Sequence, residues 1–172
     1  MRYHSKVLIE LIRDNSIRRM AEIGVARAQN LWAIVDSIAG NVIEECWGID
    51  PWIPKEVLGK KEMMTGHDLY MFVCNLMPKY KQLRFLRMTS EEAAPLFPDS
   101  YFDFVYIDGD HSYDAVCKDI ELWLPKVRWG GLLGGHDYNM GRVQRAVNDS
   151  LKGVYTPENK FKDLKIWMYE VV

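Results

Sequence analysis

The stretch VYIDGDHSYDAV (105–116) ends an apolar run on Asp108, places Asp110 and His111 directly after it, and then opens a helix-like pattern. A second polar pair, His136 and Asp137, follows the glycine-rich run GGLLGG at 130–135. Asp108, His136 and Asp137 together supply oxygen and nitrogen donors for a divalent cation. Carboxylates that leave several waters in place suit Mg2+, whereas an imidazole shifts the preference toward transition metals. Such a cation lowers the pKa of a bound hydroxyl and holds the resulting oxyanion in line with a donor group, leaving Asp110 to accept the proton. D-x-D by itself is unspecific; its pairing with GGHDY on a neighbouring strand makes it informative. His111 is read as local structure, satisfying backbone N–H groups ahead of the helix.

A second cluster lies upstream. EIGVARA (22–28) puts Glu22 two residues before Gly24 at a strand-to-helix turn. Gly24 permits a ligand to lie against the backbone, and the helix start beyond it offers unpaired N–H groups. A dinucleotide fingerprint would need further glycines, but Ala26 and Gln29 stand there, and Glu22 adds negative charge where a pyrophosphate would sit. The motif fits a ligand with an ammonium group and no phosphate, such as S-adenosylmethionine. Asp50 ends the next strand and is placed to accept hydrogen bonds from ribose hydroxyls. Trp52 is a candidate to cover an adenine face, with loop packing as the alternative. Ser90 is a candidate for the adenine edge, with a helix N-cap as its other role.

These residues need a frame that brings strand ends together, and the periodicity supplies one. Strands are expected at 20–25, 42–50, 83–88, 102–107, 130–135 and 164–172, separated by amphipathic helices. A lead-in helix covers about 3–16, helices follow from Gln29 to a stop at Gly40 and around Leu69–Met77, Ser90 starts a short helix, and Ser112 caps another. Alternation of this kind predicts an α/β fold, a doubly wound and mostly parallel sheet with helices on both faces and ligands above the carboxyl ends of its strands. The whole chain reads as one domain with its core from about residue 19 to 172.

Composition narrows the partners. A chain of 172 residues, 48% hydrophobic and 27% charged, suits a single soluble domain, and a net charge of −2 with scattered Lys and Arg gives no field for nucleic acid or an anionic membrane. Cys46, Cys74 and Cys117 sit in apolar stretches, as reduced thiols of a cytoplasmic protein would. The first residues lack a signal-peptide pattern, and no apolar run reaches spanning length.

Residues 102–138, and more loosely AEIGVARA and GIDPW (48–52), resemble the class I S-adenosylmethionine-dependent methyltransferases. The similarity is to the metal-dependent small-molecule O-methyltransferases of the macrocin and cephalosporin-hydroxylase type. The resemblance implies a Rossmann-like fold and methyl transfer to a small hydroxylated acceptor, a sugar or natural-product intermediate. It places Glu22 and Gly24 around the methionine part of the cofactor, Asp50 at the ribose and Ser90 near the adenine, with Ala26 of the same loop a further cofactor-binding candidate. Asp108 with the pair His136 and Asp137 would bind Mg2+, and Asp110 would be the base. This chain has Ala26 and Ala28 where that family often has glycine, and His136 where the sugar enzymes have a second acid. Substrate enclosure falls to residues 51–67, to the loop at 153–163 or to a second subunit in a homodimer. Two rival readings are a metal-dependent glycosyltransferase, which would use the D-x-D for a nucleotide sugar, and a non-catalytic cofactor-binding protein.

Overall fold

The computed structural model of the chain describes residues 3–38, 42–53, 66–157 and 165–172. Helix α1 (Tyr3–Asp14) leads into strand β1 (Arg19–Ile23), followed by α2 (Gln29–Ser37), β2 (Glu45–Ile49), α3 (Gly66–Cys74) and β3 (Leu83–Leu86). The short α4 (Ser90–Ala93), β4 (Phe102–Ile107), α5 (Tyr113–Trp123), β5 (Val127–Gly135), α6 (Gly141–Ser150) and β6 (Trp167–Glu170) complete the order. The strands form one six-stranded sheet in the order β3-β2-β1-β4-β5-β6, all parallel except β6, which runs antiparallel to β5.

Alternating side chains of the central strands feed two cores. Met20, Cys46, Phe104 and Tyr106 pack with α1, α2 and α3 on one face. Ala21, Ile23, Val105 and Ile107 pack with α5 and α6 on the other. Burial on both faces explains the near-continuous apolar runs of β1 and β4. Cys46 is buried, and burial followed by the nearby Glu22 pushes its thiol up, so it is a packing residue and not a nucleophile. No helix among the described residues is long and apolar enough to cross a membrane.

One feature of the sheet positions everything polar. At the ends of β2, β1, β4 and β5 the first residue of the loop donates its backbone N–H to the last carbonyl of the neighbouring strand. Asp50 donates to Leu86 (3.2 Å), Gly24 to Ile49 (2.9 Å), Asp108 to Ile23 (2.7 Å) and His136 to Ile107 (3.0 Å). Four predicted site residues are thereby fixed in a row along the carboxyl edge.

Two caps differ from expectation. Thr89, not Ser90, caps α4: its hydroxyl accepts from the Glu92 N–H while Glu92 reaches back to the Thr89 N–H, a reciprocal capping box. Ser112 occupies the cap position of α5 in extended backbone but makes no side-chain cap bond. Strand β5 also starts earlier than its apolar run, at Val127, because Val127 pairs with Phe102 before an irregularity in register. The expected helix stop at Gly40, most of the 51–67 segment and most of the 153–163 loop lie outside the described residues.

Candidate active site

The first loop is a strained turn held from two sides. Gly24 has φ +85°, and Ala26 and Ala28 also hold left-handed backbone, at φ 47° and 53°. For alanine that conformation costs about 1–2 kcal/mol per residue, so something must over-determine it. Asp50 does so: its Oδ2 accepts from the N–H groups of both Val25 and Ala26 at 2.9 Å, and its Oδ1 accepts from Trp52 N–H at 2.6 Å. Trp52 closes the clamp by donating its indole N–H to the Ala26 carbonyl at 2.8 Å. The Trp52 ring is buried, with Tyr70 at 5.1 Å and Phe85 at 6.1 Å between centroids. Of the two roles considered for Trp52, packing of the loop is the one this geometry displays.

A carboxylate offers about four lone-pair sites, and three of those on Asp50 are engaged by the loop. Asp50→Ala is therefore expected to loosen the turn, weakening binding of S-adenosylhomocysteine by about 1–3 kcal/mol. Calorimetric titration checks this; an unchanged dissociation constant would separate the loop from ligand binding.

Glu22 lies just beneath the turn and faces the α1 and α2 side. Its Oε1 accepts from the Asn30 side-chain amide at 2.7 Å, and Asn30 Oδ1 accepts from the Ser5 hydroxyl at 2.8 Å. Glu22, Asn30 and Ser5 are all buried, and Glu22 Oε2 has no hydrogen-bond partner among the described residues. Burial first and the negative charge of Asp108 second hold the Glu22 carboxyl well above its usual range, with Asn30 opposing and Asp50 adding a smaller push. Burial thus favours the protonated form of this acid, whereas a neighbouring cationic group would favour the ionised one.

The sign of the stability effect follows. Above the ordinary glutamate value of 4.5 the unfolded chain loses this proton while the native state keeps it. Stability from this group therefore falls as pH rises, until the native pKa is passed. Glu22→Gln, which mimics the neutral form, should flatten that slope and raise stability at neutral pH in denaturant titrations, while weakening binding of a cationic cofactor. A slope identical to that of the parent protein would count against this.

At the other end of the row, Asp108, Asp110, His111, His136 and Asp137 come together. Asp110 is exposed, and its Oδ1 accepts the Ser112 N–H at 2.7 Å, so the local-turn role considered for this stretch belongs to Asp110. His111, read from sequence as local structure, instead directs Nε2 to Asp137 Oδ2 in direct contact and sits 3.9 Å from Asp108 Oδ1. His136 Nδ1 is 3.3 Å from Asp137 Oδ1 and 3.9 Å from Asp108 Oδ1, while its Nε2 is buried. Among the described residues, one ligand atom each from Asp108, His111 and Asp137 lies within 4.8 Å of the others. Two carboxylates and an imidazole gathered within 4.8 Å of one another could hold a divalent ion, whose donors stand about 3–4.2 Å apart when bond lengths are near 2.1 Å, once the His111–Asp137 contact opens.

Ser90 is engaged differently from either role considered for it. Its hydroxyl oxygen accepts the Trp123 indole N–H at 2.8 Å and is hydrogen-bonded to Asp119. Asp119 is a buried acid on the apolar stripe of α5, and burial raises its pKa to about 6. Its signature in the sequence is an acid three residues after Val116, at a core position of the helix. His111 left a weaker trace: it follows the two acids immediately, yet which face it takes depends on the loop.

Comparisons with known proteins bear on the fold and the family. A family model described as "Methyltransferase domain" matches residues 21–138, which span the row from the first loop to Asp137 and Tyr138. The "Uncharacterized protein y4gI" of Sinorhizobium fredii is 30% identical over 122 residues, covering 70% of this chain and 13% of that protein, so the chain spans only a small part of the relative. The Bacillus cereus O-methyltransferase solved in complex with SAH superposes with a TM-score of 0.65 at 12% identity, over 98% of this chain and 80% of that one. Cofactor-bound Rv0187 from MTB gives a TM-score of 0.69 at 13% identity, over 98% and 79%. With the fold, the strained first loop and the family match in agreement, the chain belongs to the class I S-adenosylmethionine-dependent methyltransferases.

Proposed function

We propose that this domain transfers the methyl group of S-adenosylmethionine to a hydroxyl oxygen of a small molecule, such as a sugar or natural-product intermediate, with help from a divalent cation. The observation that carries the proposal is the row itself. A buried acid and an Asp50-clamped turn stand at one end, and a carboxylate and imidazole cluster stands at the other. The first end suits the cationic cofactor and its ribose; the second suits an acceptor that must become an oxyanion.

In the transfer, the acceptor hydroxyl gives its proton to Asp110, the oxygen forms a bond to the methyl carbon, and the carbon–sulfur bond breaks to release S-adenosylhomocysteine. The bond from Ser112 N–H orients the Asp110 carboxylate from one side. A divalent cation held by Asp108 and Asp137 would lower the acceptor's pKa and fix its oxygen. Alignment of the donor and acceptor supplies much of the remaining rate enhancement.

Calorimetry with S-adenosylmethionine and S-adenosylhomocysteine tests the first half, and transfer of a labelled methyl group across a panel of hydroxylated acceptors tests the second. Absence of cofactor binding would overturn the proposal. Binding without transfer to any acceptor would convert it to a cofactor-binding role.

A further inference from the structure

We infer that Ser5 of the lead-in helix and Asn30 of α2 are positioning residues for cofactor recognition: through a buried relay they orient the Glu22 carboxyl beneath the loop that receives the amino-acid end of S-adenosylmethionine. The inference rests on the methyl-transfer reading above and adds to it a helix, α1, that lies outside the residues 21–138 matched by the family model.

The relay runs in one direction. Ser5 donates its hydroxyl to Asn30 Oδ1 at 2.8 Å, and Asn30 donates its amide N–H to Glu22 Oε1 at 2.7 Å. A carboxylate only accepts, so Asn30 must present its nitrogen to Glu22, which leaves the amide oxygen for a donor on the other side. Ser5 is that donor. Ser5 is 1% exposed, Asn30 6% and Glu22 2%, so water does not stand in for either bond when it is lost.

The lead-in helix is anchored for this task. Val7, Leu8, Leu11 and Ile12 are buried in the core that α1 shares with α2, and Arg13 Nη2 donates to the Ser37 carbonyl at 2.7 Å. Ser5 meets the first turn of α2 and Arg13 meets its last residue, so α1 lies alongside α2 and grips both ends.

Glu22 Oε1 is fixed by Asn30, while Oε2 is buried and has no hydrogen-bond partner among the described residues. The strained turn begins at Gly24, two residues on. A cation on that turn acts on Glu22 across a short stretch of low-dielectric protein, where charges interact more strongly than in water and need no direct contact. The Asn30 bond opposes the effect of burial on this carboxyl and so works in the same direction as a bound cation. The group read through the relay is therefore the ammonium of the amino-acid portion, not the adenosine.

The test titrates the full chain calorimetrically with S-adenosylhomocysteine and with its desamino analogue, which keeps the adenosine and the carboxylate but lacks the ammonium. The parent chain is expected to bind S-adenosylhomocysteine at least about 10-fold more tightly than the analogue. Asn30→Ala should shrink that ratio at least about 5-fold and Ser5→Ala about 3-fold, with little change in affinity for the analogue. Each ratio is taken within one variant, so a general loss of stability cancels, and the parental ratio needs no variant. The inference is overturned if the parent binds the two ligands equally, if both variants keep the parental ratio, or if they weaken both ligands by the same factor, as a purely structural bond would. Equal binding of the two ligands by the parent leaves the methyltransferase reading standing, whereas a parent that binds neither ligand overturns that reading and the inference with it.

Discussion

Gly24→Ala should cost about 2–4 kcal/mol of stability and weaken S-adenosylhomocysteine binding by roughly 10-fold or more, combining the penalties for a left-handed L-residue and for overpacking. Gly24 has φ +85°, and a Cβ there would sit 2.4 Å from both the Asp108 carbonyl oxygen and the Gly109 Cα. Both are backbone atoms, so no side-chain rotation relieves the contact. Sliding the turn away would break the bonds from Gly24 N–H to Ile49 and from Asp108 N–H to Ile23. Either route misplaces the first loop relative to the D-x-D. Urea unfolding and calorimetry read the two effects; parental values in both would mean that the turn has slack which this contact excludes.

Asp108→Asn should leave the fold intact, since the side chain is 24% exposed, while lowering turnover roughly 100-fold or more. Residues that merely orient metal ligands are worth about 10–100-fold, so a residue that holds the cation, as proposed for Asp108, should exceed them. The substitution also removes one of the charges that push the Glu22 carboxyl up, so the pH range over which stability declines should end at lower pH than in the parent protein. These two readouts are independent, because one needs an acceptor and the other needs only the folded chain. Unchanged turnover at limiting metal would remove Asp108 from the chemistry, whatever the pH titration shows.

The sheet was legible because its strands are buried on both faces and write uninterrupted apolar runs. That signal located β1, β2 and β4 to within a few residues and placed Gly24, Asp50, Asp108 and His136 at one edge. The cap of α4 was also present in the sequence: Thr89 has a glutamate three residues on, and Ser90 does not. Other features were hidden because they depend on contacts between distant elements. Asp50 turns its carboxylate back to the amides of Val25 and Ala26, and Trp52 reaches Ala26 in the same way. No spacing rule encodes that closure. His111 is the clearest case, since Asp137 comes from the next strand, and only the β4 and β5 pairing brings the two side chains together.

The backbone row along the sheet edge also acts as a ruler. Asp50, Gly24, Asp108 and His136 follow β2, β1, β4 and β5, four adjacent strands. Neighbouring strands are about 4.8 Å apart, so the separation between the first and last stations is about 14 Å and is set by strand count. Side-chain substitution can change what is recognised at each station but not the interval between them. Selection for a longer or shorter ligand would therefore have to act through the loops above the edge.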